Sequence, residues 1–234
     1  MTAPDIPSLR VDLIEGIQVV RDDLVPGGTK RRVLARLMEP GYEYVYASPG
    51  CGAAQVALAY TAMGLPDTSV TIFTADCKKP HARTLEALDA GAKIMMVPFG
   101  YFSNVTAKAK AYVNEKRDTK WVPFGLDDPL FNELLVALIR SLPIAPPEEV
   151  WSVIGSGTLS RALQAAWPGA IVHGVHVGMK SDPGRAMVHQ APEPFPRDAK
   201  IRPPFPSCLN YDAKAWRFIK QFAKPGALFW NVAS

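Results

Sequence analysis

Lys30 closes a Pro26-Gly27-Gly28-Thr29 turn and opens a basic and apolar segment, 30–38, patterned as a helix. A lysine amine condenses with aldehydes, so one held between an apolar run (Ile17, Val19, Val20) and a helix start is a candidate nucleophile. On spacing alone the same residue also reads as an ordinary solvated lysine. A second turn, Gly155-Ser156-Gly157-Thr158, lies between an apolar strand at 151–154 and a helix at 159–167. Its backbone amides, its two hydroxyls and the positive end of the helix favour a phosphate. GSGTLS lacks the third glycine of a dinucleotide fingerprint. A third turn, Ser48-Pro49-Gly50-Cys51-Gly52, precedes a helix at 53–63 and offers its amides to an anion, with Gln55 in the first helical turn. Cys51 at that helix start has a nucleophilic reading, since its thiol would be acidified there, and a plainer one as a small turn residue. With no histidine near it in sequence, the plainer one is preferred.

These features resemble, in chain order, the fold-type-II pyridoxal-phosphate enzymes. The run Arg21-Asp22-Asp23-Leu24, Gly27-Gly28-Thr29-Lys30, Arg32 and Leu34 is similar to the Schiff-base segment of the aminocyclopropane-carboxylate deaminase and D-cysteine desulfhydrase branch. The lysine closing that turn holds the cofactor in the branch. Gly155-Ser156-Gly157-Thr158 stands where the family has its phosphate loop, G-S/T-G-G-T. The segment Asn210-Tyr211-Asp212-Ala213-Lys214-Ala215-Trp216 resembles the branch's V-Y-x-G-K-x-M. This match implies that Tyr211 lies beside the cofactor as proton donor or stacking ring, and that Asp212, or else Ser207, faces the pyridine nitrogen. The turn at 48–52 stands where the family reads S-x-G-N-H or S-N-Q and holds the substrate carboxylate. Ser48, Gly50, Cys51, Gly52 and Gln55 would take that role, with a glycine near the place of the asparagine that touches the cofactor's phenolic oxygen. The resemblance therefore implies pyridoxal 5'-phosphate as cofactor, bound by Lys30, Gly155, Ser156, Gly157, Thr158 and Asp212, with Lys30 and Tyr211 catalytic.

The elements that must position these residues alternate. Strands are expected at 42–47, 70–74 and 93–98, and helices at 53–63, 81–89 and 104–116. That rhythm argues for an α/β class with a parallel sheet covered on both faces. Segment 121–125 resembles the Y-x-x-P-x-G strand of the same branch and reads as returning the chain to a larger lobe, followed by a helix at 129–142. Further strands are expected at 151–154, 171–177 and 228–232. The resemblance implies two parallel-sheet α/β lobes, shortened relative to the family, with the cofactor between them. The larger lobe would comprise 1–40 and 120–234, the smaller 41–119. Residues 179–207 read as an irregular, proline-punctuated stretch carrying Lys180, Arg185, Arg197, Lys200 and Arg202. With Lys78, Lys79, Lys108, Lys110 and Lys120 these cations read either as a basic groove or as solvated surface.

With 234 residues, 48% hydrophobic and 21% charged, the chain has the composition of a globular protein of one or two domains. Neither a membrane-length apolar run nor a secretion-signal pattern is apparent, so a cytoplasmic site is expected. Three scattered cysteines and four histidines show no disulfide framework and no metal-ligand spacing. A net charge of +4 permits contact with a polyanion without requiring one. The resemblance implies a lyase acting at the α-carbon of an amino-acid-type substrate, in a homodimer. It leaves three readings open. One is decarboxylation of an aminoacyl group on a thymine of DNA, as in bacteriophage base-hypermodification clusters. The second is a deaminase or β-elimination lyase on a small free amino acid, and the third a protein that binds the cofactor without turnover. The basic stretch and the glycine in place of asparagine incline the sequence reading to the first.

Overall fold

The structure is a computed structural model that describes residues 5–98, 101–178 and 181–234. In chain order the elements are β1 (Val11–Ile14), β2 (Ile17–Arg21), α1 (Gly28–Leu37), β3 (Glu43–Ala47), α2 (Ala54–Met63), β4 (Ser69–Ala75) and α3 (Ala82–Asp89). Then come β5 (Lys93–Val97), α4 (Phe102–Glu115), β6 (Thr119–Val122), α5 (Pro129–Arg140), β7 (Glu149–Ile154) and α6 (Thr158–Ala166). The chain ends with β8 (Ile171–His176), β9 (Met187–Gln190), α7 (Trp216–Phe222) and β10 (Leu228–Asn231). It divides into two compact units: Lys30–Leu126 with the N-terminal residues up to Ile6, and Pro7–Thr29 with Asp127–Ser234.

The first unit is built on a four-stranded parallel sheet in the order β5-β4-β3-β6. Its central strands are buried on both faces because helices cover both, as parallel sheets require. Val45, Ala47, Phe73 and Val97 pack against Val105 and Ala109 of α4. On α2, residues 54–59 are all buried, so this helix is enclosed on every side rather than striped. Trp121 belongs to this sheet, opposite Val45, and does not open the larger lobe as the sequence reading had it. The physical reason lies in β6, whose register runs from Glu43↔Thr119 to Tyr46↔Val122, and in Trp121, which packs on the α4 cluster under Lys110.

The second unit carries a six-stranded sheet in the order β1-β2-β10-β7-β8-β9. Only β1 and β2 run antiparallel, joined at Glu15 (φ +50°) and Gly16 (φ +80°), the left-handed pair that a tight hairpin uses. Central β7 is buried at every position, and Trp151, Val153, Val175, Phe229 and Trp216 form its core. Strand β9 lies inside the stretch expected to be irregular; it pairs in parallel with β8, His173 facing Met187. Among the described residues no helix is long and apolar enough to cross a membrane.

Candidate active site

The turn before Lys30 is held by a buried polar network. Gly27 and Gly28 both take left-handed backbone (φ +83° and +61°), and a Cβ on Gly28 would lie 2.0 Å from the carbonyl oxygen of Val232. Only glycine fits there. The Thr29 amide donates to the same carbonyl at 3.2 Å. Its hydroxyl donates to Asp22 Oδ2 at 2.5 Å and accepts from Trp230 Nε1 at 2.8 Å. Asp23 takes a two-pronged ion pair from Arg21 at 2.9 and 2.8 Å and accepts Asn231 Nδ2 at 2.8 Å. Asn231 in turn accepts the Ser207 hydroxyl at 2.7 Å. The Arg-Asp-Asp and Gly-Gly-Thr-Lys pieces of the sequence are thus two ends of one clamp. Lys30 follows it, half-buried in the first turn of α1.

On the same unit as that network, the turn from β7 to α6 has the form expected of an anion site. Gly157 is left-handed (φ +88°) and no side chain caps α6, which leaves its first amides to other acceptors. Ser156 and Thr158 hydroxyls lie 3.0 Å apart. Arg161, one turn on, ties the loop by donating to the Asp182 carbonyl at 2.7 Å and to Asp127 at 2.8 Å. Tyr211 lies directly against this turn, since a Cβ on Gly155 would come within 2.8 Å of its phenolic oxygen. Phe195 meets the Tyr211 ring edge-on at 6.4 Å. Asp212 is fully buried, and its Oδ2 accepts the Ala233 amide at 3.3 Å. The structure therefore gathers Gly155, Ser156, Gly157, Thr158, Tyr211 and Asp212 on one unit. Ser207 is engaged with Asn231.

The candidate substrate turn sits on the other unit, between β3 and α2. Ser48 donates to the Pro49 carbonyl at 2.9 Å, and a Cβ on Gly52 would fall 2.6 Å from the Ser48 hydroxyl, so the turn closes tightly on a glycine. Gln55 Nε2 donates to Gly50 O at 2.8 Å, while its Oε1 is buried and has no hydrogen-bond partner among the described residues. From α3, Thr84 reaches Gly50 O at 3.0 Å and Arg83 reaches Cys51 O at 2.7 Å. The amides opening α2 meet no capping side chain. Sequence spacing missed His81, which the fold places beside Gly50. Its Nδ1 accepts the Arg83 amide, which leaves the proton on Nε2, and burial followed by the Arg83 charge pushes its pKa below the ordinary histidine value.

Several functional-looking residues lay outside any motif. Trp230 and Asn231 complete the clamp from about 200 positions along the chain, and the only signal for them was a polar residue ending an apolar strand. Lys180 falls outside the described residues.

No protein-family model and no curated protein matches the chain by sequence. Solved structures do. An ACC deaminase homologue superposes with a TM-score of 0.77 at 14% identity, over 100% of this chain and 90% of that one. A threonine deaminase from T.th. gives 0.65 at 14% identity, over 97% and 91%. A hydrogen sulfide-producing enzyme from Fusobacterium nucleatum gives 0.64 at 12%, over 99% and 96%. The architecture is the fold-type-II α/β fold.

Proposed function

We propose that this chain is a pyridoxal-phosphate-dependent lyase or deaminase that breaks a bond at the α-carbon of an amino-acid substrate. The observation that carries the reading is the buried clamp of Asp22, Thr29 and Trp230 on the turn before Lys30. A surface lysine would need no such support. The phosphate fits the 155–158 turn because its donors are amides and hydroxyls at an uncapped helix start. Pyridoxal phosphate supplies an electron sink for the bond that breaks at the α-carbon.

Each residue then has a task. Lys30 would be the residue that holds the cofactor, and its amine would carry the proton at the substrate's α-carbon. Ser156 and Thr158 anchor the phosphate. Tyr211, pressed on Gly155, would lie beside the cofactor ring and could hand on the proton of its phenol. Buried Asp212 would face the pyridine nitrogen and keep it protonated. The amides opening α2 would receive the substrate carboxylate, with Gln55 Nε2 holding the turn through the Gly50 carbonyl.

Within that reading the side chains favour a small free amino acid, through deamination or β-elimination. Three of the ten cations expected to form a groove have hydrogen-bond or ion-pair partners of their own. Arg185 donates to the carbonyls of Gln164 and Pro168 at 3.2 and 2.9 Å. Lys120 pairs with Glu39 and lies over Tyr42, and Arg202 pairs with Asp198. A second reading, decarboxylation of an aminoacyl group carried on DNA, rests on Arg197 and Lys200. These line an open cavity of about 770 Å³ with Glu193, Asp198 and Arg217.

Purified protein mixed with pyridoxal phosphate should develop a visible absorption band that Lys30→Ala abolishes. A wild-type protein that stays colourless defeats the proposal. The coloured protein is then given free amino acids and, separately, aminoacyl-modified DNA, and ammonia, keto acid and carbon dioxide are followed. Ammonia or keto acid from a free amino acid supports the first reading, and carbon dioxide from DNA alone supports the second.

A further inference from the structure

Two residues beyond Asp212, Lys214 is only 1% exposed although its side chain ends in an amine. Its Nζ meets three successive backbone carbonyls of one loop, those of Glu193 at 3.3 Å, Pro194 at 3.0 Å and Phe195 at 3.3 Å. Carbonyls only accept, so each of the three needs an N–H from the lysine, and only the ammonium form has three. Burying that charge is costly unless oxygen dipoles surround it in this way. The loop needs the charge as much as the charge needs the loop. Pro192, Pro194 and Pro196 bring no amide hydrogens, so this stretch cannot build a ladder of its own. The Phe195 ring lies 5.9 Å from the ammonium and stands edge-on to Tyr211 at an interplanar angle of 88°. Tyr211 in turn rests on Gly155.

We propose that Lys214 is a positioning residue whose ammonium fills a monovalent-cation site made by the carbonyls of Glu193, Pro194 and Phe195, and that it sets the Tyr211 ring through Phe195. The role given to Tyr211 rests on the cofactor reading above, whereas the cation site stands on the loop alone. The chain carries its own cation. Cutting the side chain back to Cβ removes three methylenes and the ammonium, leaving a channel whose far end faces the three oxygens, where a free cation of matching radius should enter.

The test is thermal unfolding of wild type, Lys214→Ala and Lys214→Met in lithium, potassium, ammonium and methylammonium chloride at equal ionic strength. Lys214→Ala should melt below wild type in lithium and recover most of that loss in ammonium or methylammonium. Wild type and Lys214→Met, whose side chain occupies the gap without charge, should show no such selectivity. In protein loaded with pyridoxal phosphate, the visible band of Lys214→Ala should shift from the wild-type position and return toward it in ammonium. A Lys214→Ala protein that melts alike in all four salts overturns the proposal. Should that variant not fold, Lys214→Gln replaces it, and a Lys214→Gln protein as stable as wild type and indifferent to cation overturns the proposal equally. The unfolding measurement needs no cofactor, so failure here is separate from a colourless wild type.

Discussion

The phenol of Tyr211 lies over Gly155 so closely that a Cβ on the glycine would stand 2.8 Å from the oxygen and 3.0 Å from the ring. The aromatic ring and the 155–158 turn are therefore fitted to one another, and the glycine is required by the tyrosine rather than by its own backbone angle. Gly155→Ala should displace the ring, cost about 1–3 kcal/mol as an overpacked site does, and weaken pyridoxal-phosphate binding. Gly178 offers the control, since its Cβ would touch Gly155 at an ordinary 3.5 Å. Urea unfolding and cofactor titration of both variants check this, and equal behaviour of the two would count against the fit.

Thr29 both donates to Asp22 and accepts from Trp230. Thr29→Val keeps the shape and removes both bonds, so two buried polar groups each lose a partner at about 1–3 kcal/mol apiece. Thr29→Ser should keep most of the stability. Because the clamp sets the turn before Lys30, Thr29→Val should also slow the development of the cofactor's visible band. A Thr29→Val protein with wild-type stability and wild-type band formation would remove the clamp from the argument.

The alternation of strand and helix, the Lys30 turn and the 155–158 turn were legible because each is local: a periodicity, or glycines beside a helix start. What escaped is what depends on distant partners or on edges. Strand β9 reads Met-Val-His-Gln among prolines and is exposed at three of its four positions, so no apolar run announced it. Trp230 and Asn231 acquire their meaning only from Thr29 and Asp23, about 200 residues away. Lys214 sat inside a recognised segment, yet nothing in that segment says its ammonium is bound by carbonyls from 193–195. Trp121 was placed in the wrong sheet because an apolar strand carries no mark of its neighbours.

The proposed phosphate turn at 155–158 should be tested at its hydroxyls and not at Gly157. A Cβ on Gly157 would lie 1.9 Å from the Asp182 carbonyl on a left-handed backbone, so any substitution there disturbs the 182 loop before it touches an anion. Ser156 and Thr158 bond one another and lie at the helix start. The double variant Ser156→Ala, Thr158→Val should bind pyridoxal phosphate about 10-fold or more weakly, since two hydrogen bonds to a charged group are lost. Its urea midpoint should change little. Unchanged affinity, measured by titration of the visible band, would move the phosphate elsewhere.

The last prediction concerns pH. His173 and His189 sit on adjacent strands β8 and β9 with Nδ1 and Nε2 3.1 Å apart, stacked on Trp151 at 4.2 and 5.0 Å. Phe218 and Phe222 of α7 cover His189 from the other side. Burial pushes both pKa values below the ordinary 6.5; for His173 the nearby Glu149 carboxylate opposes the shift and His189 adds to it. The folded chain therefore keeps both rings neutral at a pH where the unfolded chain begins to take up protons. Their contribution is fully present above about pH 6.5 and is lost as pH falls toward the folded values, because the unfolded state then binds more protons. The slope reaches at most about 1.4 kcal/mol per pH unit for each ring. His189→Phe keeps an aromatic ring between Trp151 and α7 but removes one titrating group, so its stability should fall less steeply than wild type between about pH 7 and pH 5. Urea unfolding across that range measures both slopes, and parallel curves would mean that the pair does not couple folding to protons.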